Sequence, residues 1–78
     1  MNIHEAIVCR VKELCKENNL SLNGLAIKAG LAGATVPHLV RGVKKNPSIR
    51  TLILIANAFD LSIAEFLNTD KILNSTLP

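Results

Sequence analysis

Aromatic residues are nearly absent from this chain, which has no tryptophan, no tyrosine and two phenylalanines among 78 residues. Apolar residues nevertheless make up 49% of it, so a core is possible but must be aliphatic. A chain this short buries only about 60% of its unfolded surface, which leaves a modest stability margin. We therefore predict one small domain, and no second one.

Cysteine and long hydrophobic runs are also scarce. Cys9 and Cys15 lie six positions apart in one predicted helix, where their side chains point apart, so an internal disulfide is excluded. No CxxC motif or His/Cys cluster suggests a metal, and we expect neither a metal nor a cofactor. The longest apolar run, 52–56, is far too short to span a membrane. These features predict a cytoplasmic protein with reduced thiols.

Acidic residues are missing from the middle of the chain, although both ends contain them. This middle part contains five of the nine basic residues, namely Lys28, Arg41, Lys44, Lys45 and Arg50. The net charge of +3 is therefore concentrated there. Such a concentration indicates a surface that binds phosphate groups, and the alternative is a solvated basic loop.

The same acid-free region contains two helical patterns that meet at a glycine. Apolar residues recur with helical spacing at Leu22, Leu25, Ala26 and Ala29, and again at Val36, Leu39 and Val40. Ser21 is a suitable N-cap, and Gly30 follows the first pattern where a left-handed residue can end a helix. Residues 21–42 therefore predict a helix-turn-helix.

At this point the sequence resembles the Cro/C1-type regulators, the xenobiotic-response-element (XRE) family. The resemblance rests on Ala26, Gly30, Leu31, Val36, Leu39, Arg41-Gly42, Asn46-Pro47-Ser48 and the run Leu61–Leu67. It implies an all-α, five-helix, lambda-repressor-like domain over residues 1–68, followed by a tail over 69–78. It also implies a transcriptional regulator, most plausibly a dimeric repressor bound to double-stranded DNA. An enzyme and a small-molecule ligand are not expected.

Sequence signals place the five helices at about 3–17, 22–29, 33–40, 49–59 and from a capping box at Ser62 to near Asn68. His4 and Glu5 are expected in a frayed, solvent-facing first turn. Pro37 disfavours a helix interior but fits a first turn. The third helix is therefore predicted to start late or to bend near Thr35, which could then be its N-cap.

The resemblance also assigns residues to the DNA surface. Base contacts are predicted for Gly33, Ala34, Thr35, Pro37 and His38, and phosphate contacts for Asn23, Lys28, Arg41, Lys44, Lys45 and Asn46. The family commonly has a phosphate-binding glutamine where this chain has Leu22, and often a base-reading glutamine where it has Gly33. Few strong hydrogen-bonding groups remain for reading bases, so shape and phosphate positioning are expected to contribute to specificity.

The fourth helix is apolar almost all round, which indicates a partner. We predict a homodimer interface formed by Ile53 and Leu54 together with Ile72 and Leu73 of the tail; in the alternative reading, the tail is partly ordered. The weak base-reading surface leaves another function open, that of a protein-interaction module such as an antitoxin or adaptor.

Overall fold

A computed structural model describes residues 1–43 and 46–77. Its helices are α1 (Ile3–Glu17), α2 (Leu22–Lys28), α3 (Thr35–Val40), α4 (Ile49–Ala58), α5 (Ile63–Leu67) and α6 (Asp70–Leu73). The predicted all-α fold with five helices is confirmed, and the short α6 is an addition to it. None of the described helices is long and apolar enough to cross a membrane.

Side-chain caps begin most of these helices. Ser21 Oγ accepts from Gly24 N at 2.9 Å, and Ser48 Oγ accepts from Thr51 N at 3.1 Å. The predicted capping box is present, because Ser62 Oγ accepts from Glu65 N while Glu65 Oε1 accepts from Ser62 N. These two hydrogen bonds lower the pKa of the Glu65 carboxyl. Local sequence therefore fixes where α2, α4 and α5 start.

Left-handed residues end four of the helices. Asn19, Gly30, Gly42 and Asp60 have φ angles of 53°, 74°, 78° and 59°. At Gly30 the next amide, Leu31 N, donates to Ala26 O at 2.8 Å, which is the long hydrogen bond of a Schellman motif. The predicted glycine turn between α2 and α3 is confirmed.

The first turn of α1 is held in place, and the expectation that it is frayed was wrong. Asn2 Oδ1 accepts from Glu5 N at 2.9 Å, and Asn2 Nδ2 donates to Glu5 Oε1 at 2.8 Å. Ile3 N donates to Thr76 O at 2.8 Å, within a parallel bridge that joins Asn2 to Thr76. The start of α1 is thus fixed both by its own cap and by the end of the described chain.

The core is aliphatic with one phenylalanine at its centre. Its largest fully buried side chains come from five helices and are Phe66, Leu25, Leu39, Ile55, Val11 and Val36. Arg10 of α1 closes the end of α5, because its Nε donates to Phe66 O at 2.9 Å and its Nη2 to Glu65 O at 3.0 Å. Its guanidinium also lies 5.9 Å from the Phe66 ring centroid, within the range of a cation–π contact.

The C-terminal segment packs against α1 through α6. Ile72 is only 8% exposed and belongs to the core cluster. Lys71 Nζ lies 3.0 Å from Glu13 Oε1, and this contact raises the pKa of Lys71. Both side chains are about half exposed, so the ion pair contributes little, and the buried Ile72 is the main anchor of the segment.

Candidate nucleic-acid interface

The candidate interface is built on the pair of helices α2 and α3, which pack directly on each other. Leu25 and Ala26 of α2 and Val36 of α3 are fully buried, and Leu39 is 1% exposed. Because these four residues fix one face of each helix in the core, the opposite faces point to solvent. The turn at Gly30 then sets how α3 follows α2.

The third helix starts at Thr35, two residues after the predicted start at Gly33. Its N-cap position is Ala34, which has no side-chain oxygen to accept a backbone hydrogen bond, so the suggestion that Thr35 is the cap was wrong. Pro37 is the third helical residue, in the first turn, where a missing N–H costs little. The late start is therefore explained by Pro37 and by the absence of a capping side chain.

The five residues predicted to contact bases lie at the start of α3 and just before it. Gly33 and Ala34 are exposed in the turn, whereas Thr35, Pro37 and His38 are half-buried on α3 itself. The surface formed by these residues is small, with only a hydroxyl and an imidazole as side-chain hydrogen-bonding groups. Base contacts by these five residues remain a prediction.

The residues predicted to contact phosphates surround this tip, and the described ones are all exposed: Asn23, Lys28, Arg41 and Asn46. Across residues 1–43 and 46–77, none of these four side chains hydrogen-bonds to another residue, and no carboxylate pairs with Lys28 or Arg41. By contrast, Arg10 and Lys71 elsewhere in the fold are engaged within the protein. Lys44 and Lys45 lie outside the described residues.

The predicted dimer residues do not form one surface. Ile53 is 37% exposed and Leu73 is 64% exposed, whereas Leu54 is half-buried against the core. Ile72 is buried inside the protomer, so it cannot contact a partner in this conformation. Ile49, which sequence reasoning did not select, is 61% exposed one turn before Ile53 on α4.

Sequence reasoning also missed a cleft between the first turns of α1 and the end of α3. A Cβ atom on Gly42 would lie 4.0 Å from His4 Nε2, so the two helix ends are neighbours there. No local pattern reveals such a contact, because the two residues are far apart in the chain.

Comparison with known proteins agrees with this geometry. The model of the HTH_3 helix-turn-helix family matches residues 11–66, which include α2, α3 and α5 up to its buried Phe66. The chain belongs to this family. The predicted resemblance to XRE-type regulators is thereby confirmed, and the match covers most of the described fold.

Members of the HTH_3 family with similar sequences include two transcriptional regulators named SinR. The chain is 37% identical over 59 residues to SinR of Bacillus licheniformis and 36% identical over 59 residues to SinR of Bacillus subtilis strain 168. Each match covers 76% of this chain and 53% of the relative. The chain thus spans about half the length of the curated relatives it matches.

Solved HTH_3 structures share the fold. A crystal structure of SinR, described as the master regulator for biofilm formation, in complex with DNA has a TM-score of 0.69 at 35% identity, covering 80% of this chain and 98% of that one. The N-terminal DNA-binding domain of SinR from Bacillus subtilis has a TM-score of 0.71 at 34% identity, covering 82% and 93%. An HTH_3 regulator from Vibrio cholerae has a TM-score of 0.77 at 31% identity, covering 91% and 39%.

Proposed function

We propose that this helix-turn-helix protein binds double-stranded DNA sequence-specifically and represses transcription by occupying an operator. The observation that carries the proposal is the set of exposed, unpaired polar and cationic side chains around the start of α3, in a region without acidic residues. The family membership and the SinR–DNA complex among the similar structures support it. Such a protein acts by binding, without chemistry, in the cytoplasm where the DNA is.

In the proposed complex α3 enters the major groove and α2 crosses the backbone. Thr35 and His38 reach base edges, while Lys28 and Arg41 bind phosphates and fix the register. Since the tip at 33–35 is small, the sequence dependence of groove shape supplies part of the specificity.

The first test is selection of bound duplexes from a random pool at low and at physiological salt. Enrichment of one motif is expected, and a palindrome would also give the spacing of two half-sites. Retention without enrichment would contradict sequence-specific reading. No retention at either salt would favour the alternative, a protein-interaction module that keeps the fold.

A matched pair of variants tests the proposed phosphate contacts. Lys28→Ala should reduce the slope of log affinity against log salt by about 0.9 for each phosphate that the side chain neutralises in the parent complex. Lys16→Ala removes the same charge from an exposed position on α1 and should change the slope less. Equal effects would mean that only total charge matters, and that α2 is not at the phosphates.

We also propose a homodimer, with the exposed side of α4 around Ile49 and Ile53 as the contact. Both residues are apolar, exposed and one helical turn apart, which suits an apolar partner surface. Ile53→Lys should shift the association equilibrium towards monomer in sedimentation experiments. Asn57→Lys, a similarly exposed change on α4, is the control, and a parent-like dimer in Ile53→Lys would contradict this interface.

A further inference from the structure

The cleft between α1 and the end of α3 has a volume of about 390 Å³. This size lies at the lower end of small-molecule sites, which range over about 300–1,000 Å³. Its apolar lining includes Met1, Val8 and Val40, and its polar lining includes His4, Glu5 and Arg41. An apolar surface with a few convergent polar groups is typical of a ligand site.

One atom in this cleft lacks a hydrogen-bond partner. His4 Nδ1 is buried and, within the described part of the chain, no group donates to it or accepts from it. Buried polar atoms are almost always satisfied, and each exception needs an explanation. A polar group of a bound molecule would provide the missing partner.

The charged groups around the cleft favour an anion. Glu5 already accepts a hydrogen bond from Asn2, whereas no carboxylate of the described residues lies within ion-pairing distance of Arg41. A guanidinium binds a carboxylate through two parallel hydrogen bonds, so Arg41 is suited to a carboxylate.

We propose that this cleft binds a small amphipathic carboxylate, with its apolar chain against Met1, Val8 and Val40 and its carboxylate near Arg41 and His4. Arg41 is also a proposed phosphate contact, so a bound carboxylate would compete with DNA for it. That competition rests on the proposed function, but the binding site itself does not.

The test is a titration of the full chain, without DNA, with sodium hexanoate, followed by the backbone amide signals in NMR. Saturable shifts are expected at residues 4–9 and 40–42. Acetate lacks the apolar chain, hexanol lacks the charge and hexylamine carries the opposite charge, so each should bind at least about tenfold more weakly. No saturation with hexanoate, shifts centred elsewhere, or equal binding of hexanol would overturn the proposal.

Two variants test the assigned residues. Arg41→Gln should weaken hexanoate binding at least about tenfold, because it removes a charge-assisted hydrogen bond. Lys28→Gln, which removes an exposed charge outside the cleft, should leave that binding unchanged. Equal losses in both variants would show non-specific attraction and overturn the site.

A separate measurement tests the competition with DNA. Hexanoate should weaken the DNA binding of the parent protein more than that of Arg41→Gln, and equal weakening would overturn the competition. If the protein binds no DNA, the proposed function fails, while the amide titration still decides whether the cleft is a ligand site.

Discussion

The short helices α3 and α5 have six and five residues, yet they begin in different ways. At the start of α5, Ser62 and Glu65 satisfy each other's backbone amides, and Arg10 bonds to carbonyl oxygens at its end. No side chain caps α3, and its N-cap position is Ala34. Short helices are marginal by themselves, so α3 must depend on packing where α5 also has local bonds. The helix proposed to meet DNA thus uses few polar side chains on its own structure.

The largest effect is expected from packing in α3. Leu39→Ala should lower the free energy of unfolding by about 2–5 kcal/mol, because it leaves a cavity at a position that is 1% exposed. Urea unfolding followed by far-UV circular dichroism measures this, since the chain has no tryptophan or tyrosine as a fluorescence probe. Leu73→Ala, at a 64% exposed position, is the control. A loss below about 1 kcal/mol would show that α3 does not depend on this contact.

A smaller loss is expected when the end of α5 is released. Arg10→Met keeps an apolar chain near Phe66 but removes both hydrogen bonds to carbonyl oxygens, and it should cost about 1–2 kcal/mol because the site is partly exposed. For a domain of this size, each kcal/mol corresponds to about 4–8 °C in Tm. Arg50→Met is the matched control at an exposed position. Equal changes in Tm would deny Arg10 a special role.

Capping variants address the comparison of helix starts directly. Ser62→Ala should cost about 1 kcal/mol in the free energy of unfolding, because the reciprocal hydrogen bonds of the capping box are disrupted. Ala34→Ser should gain much less, because Ala34 has helical angles of φ −87° and ψ −8° instead of the extended angles of a capping residue. Chemical unfolding of both variants gives the two values. A gain at Ala34 as large as the loss at Ser62 would mean that α3 simply lacks a serine.

The smallest effect is expected in the turn before α3. A Cβ atom at Gly33 would meet no atom within 4 Å, so Gly33→Ala should stabilise the protein by about 0.4–1 kcal/mol through the unfolded state. Gly30→Ala is the opposing control, because φ is +74° there and alanine would be strained. Thermal unfolding of both variants is the measurement. If Gly33→Ala is destabilising, the turn has a constraint beyond local sterics.

Helix positions were predictable where the signal is local. The spacing of apolar residues gave the bounds of α1, and the caps Ser21, Ser48 and Ser62 and the turn at Gly30 are all present. The start of α3 was placed too early because a pattern of buried residues does not show where backbone hydrogen bonds begin. Only Pro37 signalled that the helix starts late.

Features that depend on distant residues were beyond the sequence. Arg10 and Phe66 are 56 positions apart, and no spacing rule connects them. Ile72 was assigned to a dimer surface because its helix of four residues is too short to show a buried face, yet it packs into the protomer core. The cleft at His4 and Gly42 arises from the same kind of tertiary contact.

The bridge between Asn2 and Thr76 has a consequence for synthesis on the ribosome. The first turn of α1 leaves the ribosome early, but the backbone partner of Ile3 is Thr76, which is made more than 70 residues later. The nascent chain can form α1 locally, whereas the pairing that fixes its start must wait until the C-terminal segment has emerged. A stalled chain that ends before α6 would therefore show a protease-sensitive first turn on an otherwise formed α1.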